Sequence, residues 1–247
     1  MYELILAADA PELDDEAEQR FAEDWPEFIF HDEGVPPYRD RRREYFADWE
    51  FYFVDATDDG RRLIAGCWAV PLAWDGTVED LPGGFTDSLA RSVTEHEENV
   101  VPNTCVLMAA AVRSDEQGQG HAGRVIAALR DHAAANGLEK MIAPVRPTSK
   151  SRYPLTPIEI FMTWTRDDGL PLDPWLRTHV RLGATLLAPA PASQTMTGSV
   201  TDWENWTRMQ FPSTGTYTIP DGLTVLHIDR EANTGTYTEP NIWLRHA

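Results

Sequence analysis

The chain is short of positive charge, of cysteine and of long apolar runs, and each shortage removes a class of function. Across 247 residues, 21 lysines and arginines face 40 acids, a formal net charge of -19. Nucleic acid is held mainly by cations that displace counterions from phosphate, so a surface this acidic repels it. An anionic membrane surface is disfavoured for the same reason. A small neutral or cationic amine is not repelled, while the acidity also serves solubility. The two cysteines, Cys67 and Cys105, sit in the apolar stretches IAGCWAV and NTCVLMAA. They form no CxxC pair and no histidines cluster with them, so they read as buried free thiols and no metal is expected. No run is long enough to span a bilayer, and the start, MYELILAADAPELDDE, turns acidic too early for a signal peptide. The expectation is a soluble, cytoplasmic protein.

What is present suits a packed interior: 42% apolar residues and nine tryptophans. The length fits one large domain, and no linker marks off a second, so residues 1–247 read as a single unit. Tyr2 to Ala8 patterns as a strand, Pro11 to Phe30 as an amphipathic helix, and Tyr38 to Trp49 as a second helix after the break at Pro36-Pro37. Glu50 to Asp55 and Arg62 to Leu72 flank the turn Thr57-Asp58-Asp59-Gly60 as a hairpin. Trp74 to Pro102 is polar, helical from about Thr86, and reads as an insertion.

Asn103 to Val112 is a continuous apolar run of the kind buried in a sheet centre. A short loop then leads into a helix from about Gly120 to Asn136, followed by a strand from Lys140 to Arg146: a βαβ crossover. A second insertion covers Pro147 to Asp173. Later, Pro157 to Thr165 and Asp173 to Leu182 pattern as helices, with Asp173 as N-cap to Pro174. Thr185 to Gly198 and Leu223 to Asp229 pattern as strands, and Thr201-Asp202-Trp203-Glu204 has capping-box spacing. TGTYT occurs at Thr214 to Thr218 and again at Thr234 to Thr238, marking two similar turn-to-strand junctions.

The segment Gln117-Gly118-Gln119-Gly120-His121-Ala122-Gly123 carries the chemistry. On paper it satisfies the dinucleotide fingerprint GxGxxG, but that motif belongs directly after a strand, with an acid ending the next strand. Here Arg113 to Gln117 intervene, and the nearest acid, Glu139, precedes the next strand. Taken instead as Gln117-x-x-Gly120-x-Ala122, it is a small-residue turn presenting backbone N–H groups at a helix N-terminus, where an anionic pyrophosphate is stabilised.

This pattern, a strand ending in Val112, a short loop and Q-x-x-G-x-A opening a helix, resembles the GNAT superfamily of N-acetyltransferases. The order of elements along most of the chain is similar to that fold, an α/β (α+β) architecture with a mixed, mostly antiparallel sheet flanked by helices. The resemblance implies transfer of an acetyl or related acyl group from acyl-CoA to a primary amine. It implies that Ala110, Ala111 and Val112 pair with the pantetheine arm, and that Gln117, Gly118, Gln119, Gly120, His121, Ala122 and Gly123 hold the pyrophosphate. Family members carry a tyrosine four residues before a glycine, which protonates the departing thiolate; here Gly183 is preceded at that distance by His179. An imidazole can serve as that donor, or His179 can be a structural helix residue; Tyr153 is the second candidate.

The general base is open among Glu98, Glu159 and His31, or water alone. Arg146, Lys150 and Arg152 form a basic cluster for CoA phosphates, for a substrate carboxylate, or for local charge balance. Trp25, Trp49, Trp164 and Trp175 are candidates for an acceptor pocket or for core. Two other functions stay open: an acyl-CoA-binding module without turnover, and a transferase drawing on aminoacyl-tRNA. A homodimer is an open arrangement.

Overall fold

The computed structural model describes residues 2–23, 25–57 and 60–246. A nine-stranded sheet forms its centre, built from β1 (Tyr2–Leu6), β2 (Glu50–Thr57), β3 (Gly60–Leu72), β4 (Thr104–Val112), β5 (Lys140–Val145), β6 (Thr185–Gly198), β7 (Gly215–Thr218), β8 (Val225–Asp229) and β9 (Thr234–His246). The strands lie in the order β1-β2-β3-β4-β5-β9-β8-β7, with β6 along the other edge of β9. Among these ladders, β4–β5 is parallel and the rest are antiparallel. The mixed, mostly antiparallel sheet is therefore as the sequence implied.

The helices are α1 (Asp14–Ala22), α2 (Pro36–Tyr45), α3 (Phe85–Glu97), α4 (His121–Ala135), α5 (Ile158–Phe161), α6 (Pro174–Arg181) and α7 (Val200–Thr207). Strand periodicity sorts the core by face. Met141, Ala143, Val145, Ile242 and Leu244 pack with Val125, Ile126 and Leu129 of α4, Phe161 of α5 and Leu176 of α6. Ile142 and Trp243 point the other way and join Leu89 and Val93 of α3. A third cluster gathers Phe28, Ile29, Trp203, Leu226 and Tyr237 around the β8–β9 end.

Several local expectations are corrected. The helix expected over Pro11 to Phe30 is broken: α1 ends at Ala22, and a 3₁₀ turn, Glu27–His31, follows Pro26. Proline pushes the residue before it out of the helical region, which explains the break. Pro36-Pro37 opens α2 rather than preceding it, since the first helical positions need no intrahelical N–H partner. The helix expected from Pro157 to Thr165 shortens to α5. The capping box belongs to Ser199 and Asp202, starting two residues before Thr201. Asp173 does cap α6, accepting from the N–H groups of Trp175 and Leu176. The first TGTYT copy supplies β7 and the second opens β9, on either side of β8. Asp58 and Asp59 at the expected hairpin tip lie outside the described residues.

Candidate active site

The parallel ladder between β4 and β5 runs only from Thr104↔Lys140 to Val106↔Ile142. Beyond it the strands part. β4 continues to Val112 with β3 on one edge, while Ala143 to Val145 stay with β9. The backbone edge from Leu107 to Val112 is thus open on the β5 side, bordering a wedge at the carboxyl ends of the two strands. Pro144 fits there because a proline is tolerated where a strand ladder is interrupted. The β3–β4 register also slips: Trp68 faces Ala109 and Ala69 faces Leu107, which leaves Met108 as a bulge. A bulge bends its strand and re-aims its groups, and this one lies beside the point of divergence.

The turn after β4 delivers the chain to α4. Gly118 and Gly120 both have φ +80, the left-handed region, and a Cβ at either would meet nothing within 4 Å. Open space lies beside the turn, and backbone conformation demands glycine. α4 has no side-chain N-cap bond and no acid in its first turn, whereas Asp173 and Ser199 cap α6 and α7. Its first N–H groups are free to meet an anion.

Glu116 fixes this turn from below. It is buried, ion-paired with Arg62, accepts from Gln119 Nε2 at 2.9 Å, and lies 3.5 Å from His121 Nε2. Gln117 Nε2 reaches back to the Val112 carbonyl at 3.4 Å. Of the seven residues expected at the pyrophosphate, Gln117 to Gly120 form the turn itself. The His121 ring is buried against Tyr2 and Phe53. Gly123 faces Leu182 beyond α6, where an added Cβ would sit 3.4 Å from its Cδ2.

His179 is left open by the sequence between proton donor and structural helix residue. It is fully buried, with Nδ1 2.9 Å from His246 Nε2 and the ring against Trp175. Burial, reinforced by His246, pushes its pKa down to about 3. A ring held neutral in this way is a poor proton donor at pH 7, so its placement supports the structural role. Tyr153 is 40% exposed in the segment that follows β5, its ring 4.9 Å from Trp164.

Two members of the basic cluster converge on one segment. Lys150 is buried, donating to the carbonyls of Tyr153 (2.8 Å) and Leu223 (2.5 Å), and burial pushes its pKa down to about 8. Arg146 donates to the Asp221 carbonyl and is paired with Glu239, whose charge Lys150 also feels. Glu239 was not apparent as a site residue in the sequence, although a lone acid in the apolar run TEPNIWL is an unusual feature for a central strand. It is fully buried and also accepts from the Tyr237 hydroxyl; burial raises its pKa against the pull of Arg146. Among the base candidates, Glu98 and Glu159 are exposed and His31 pairs with Glu27 while stacking on Trp206. Trp49, Trp164 and Trp175 pack on the sheet core, and Trp25 joins the third cluster.

A splayed parallel pair, a bulged central strand and a helix opened by left-handed glycines together border one cleft. The sequence model of the Acetyltransferase (GNAT) family matches residues 15–155, and the chain belongs to that family. An arginine N-acetyltransferase from Aspergillus versicolor, avaD, is 27% identical over 275 residues, covering 99% of this chain and 93% of that one. Two solved structures share the fold across the whole chain. One is the loading GNATL domain of CurA from Lyngbya majuscula, with TM-score 0.58, 15% identity and 97% of that chain covered. The other is the GphF GNAT-like decarboxylase in complex with isobutyryl-CoA, with TM-score 0.55, 13% identity and 98% covered. Among the described residues, no helix is long and apolar enough to cross a membrane.

Proposed function

We propose that the chain transfers an acetyl or related acyl group from acyl-CoA to the primary amine of a small molecule, with both substrates bound together. The observation that carries this reading is the open edge of β4 from Leu107 to Val112, next to the Gly118–Gly120 turn. The residues present fit the donor: β4 backbone groups that no strand pairs on the β5 side, among the described residues, suit the amides of a pantetheine arm, and N–H groups at α4 with no side-chain cap suit a pyrophosphate. When bound, acyl-CoA supplies the activated thioester. Ala110 to Val112 hold its arm, while backbone N–H groups of the same strand stabilise developing negative charge on the carbonyl oxygen. Tyr153 supplies the proton to the departing thiolate, in place of His179.

The relative that acetylates arginine supports an amine acceptor. No carboxylate among the base candidates is placed on the open β4 edge, so alignment of the amine and proton loss to water account for the attack. The test is free-thiol release from acetyl-CoA by the purified chain over a panel of amines. Amine-dependent release supports the reading. Tight binding of CoA with no release for any amine favours a binding module and defeats it.

A further inference from the structure

Arg146 is the first residue past β5, on the far wall of the wedge. Ile142 packs on the α3 face of the sheet, and Pro144 and Arg146 share its parity. The contacts agree: Arg146 meets Glu239, which shares its β9 face with Trp243 and Tyr237, opposite α4. That stretch of β9 lies in a gap of the sheet. β5 leaves β9 at Ile242 and β8 joins it at Tyr237, so among the described residues no strand covers Thr238 to Asn241 on that edge.

The guanidinium is fixed on three sides. Nε donates to the Glu239 carboxylate, Nη2 donates to the Asp221 carbonyl at 2.6 Å, and its carbon lies 5.9 Å from the centre of the Trp25 ring. Glu239 is itself held by the Tyr237 hydroxyl, whose oxygen accepts from the Leu223 N–H at 2.7 Å. Arginine has five N–H donors. Among the described residues, none accepts from Nη1 of Arg146. The side chain is 15% exposed, while its Glu239 partner is fully buried.

A guanidinium facing an aromatic ring and clamped at two nitrogens, with the third left over, is held ready to give a carboxylate a charge-assisted hydrogen bond. In a chain of net charge -19, an anionic group on a substrate needs such a local cation, because the wider field opposes it. We infer that Arg146 recognises a carboxylate on the acceptor, so that the amine substrate is an amino acid rather than a simple polyamine. The inference rests on the amine-acceptor reading above. Glu239 acts as a positioning residue, holding Arg146 in plane without meeting the substrate.

The experiment compares paired acceptors that differ by one carboxylate: arginine with agmatine, lysine with cadaverine, and histidine with histamine, all with acetyl-CoA. The wild-type chain is expected to favour the carboxylate member of its best pair by about 10- to 100-fold in kcat/KM, the worth of a hydrogen bond to a charged group. Arg146→Gln should bring that ratio close to one through the acceptor KM, with the acetyl-CoA KM unchanged, and Arg146→Lys should restore part of it. Arg146→Gln with Glu239→Gln removes both charges together and keeps the test valid if the single variant fails to fold. Preference for the decarboxylated member in every pair overturns the inference, as does an equal loss for both members. Absence of thiol release with every amine defeats the acceptor reading and this inference with it, whereas release with an unchanged ratio defeats the inference alone.

Discussion

Nδ1 of His179 and Nε2 of His246 share a hydrogen bond of 2.9 Å, joining α6 to the last strand through two buried imidazoles. Burial pushes His179 down to about 3 and His246 down to about 4. Both folded-state values lie below that of an unfolded histidine, about 6.5. The unfolded chain therefore binds more protons in acid, so the stability is complete above about pH 6.5 and declines as pH falls toward 4. Each histidine contributes about 1.4 kcal/mol per pH unit across that window. Thermal denaturation between pH 7.5 and 4.5 should show a steep loss that flattens in a variant carrying His179→Phe and His246→Phe. An unchanged slope would place the acid sensitivity elsewhere.

Gly120 sits at φ +80 at the mouth of α4 with nothing near its missing Cβ. Gly120→Ala therefore acts through conformation and not through collision, at a cost of about 1–2 kcal/mol if the turn keeps its shape. Calorimetry should show CoA binding weakened about 10-fold, the equivalent of 1.4 kcal/mol. Gly120→Asn should be milder, because asparagine tolerates the left-handed region better. Equal binding by Gly120→Ala and the wild type would remove this turn from the donor site.

Tyr153 is exposed and follows the strand that forms the wedge. If it protonates the departing thiolate, Tyr153→Phe should lower kcat by about 10²-fold, the usual worth of a placed acid, with both KM values little changed. A matching loss in His179→Asn with none in Tyr153→Phe would return the role to the histidine.

Cys67 and Cys105 are buried, and burial raises both thiols well above the ordinary range. Only the thiolate reacts, so a disulfide reagent should label neither in the native chain and both after denaturation. Activity should persist through such treatment. Rapid native labelling would show that the core opens.

The elements around the proposed donor site were legible because their signals are local. An apolar run, a glycine turn and an amphipathic stripe each depend on residues within one element, and they located β4, α4 and β5. The spacing that picked out His179 was equally local, and α6 does end just before Gly183, with φ +89. What decides its protonation is burial, reinforced by His246, 67 positions away and adjacent only through β9. Glu116 and Glu239 were missed for the same reason: each is explained by an arginine on another element, Arg62 and Arg146. Pro26 could have been read correctly, since its effect on the preceding residue is written in the sequence.

β9 spans Thr234–His246 yet lies between β5 and β8 in the sheet, with β6 along its other edge. A strand so late in the chain and so central in space makes the whole architecture depend on pairings of long sequence separation. Such topologies fold slowly, because loop closure comes before the contacts that reward it. As the polypeptide emerges from a ribosome, β1 to β5 can assemble while the β5 edge still waits for its neighbour. That exposed ladder is a natural target for chaperones and for aggregation until β9 arrives.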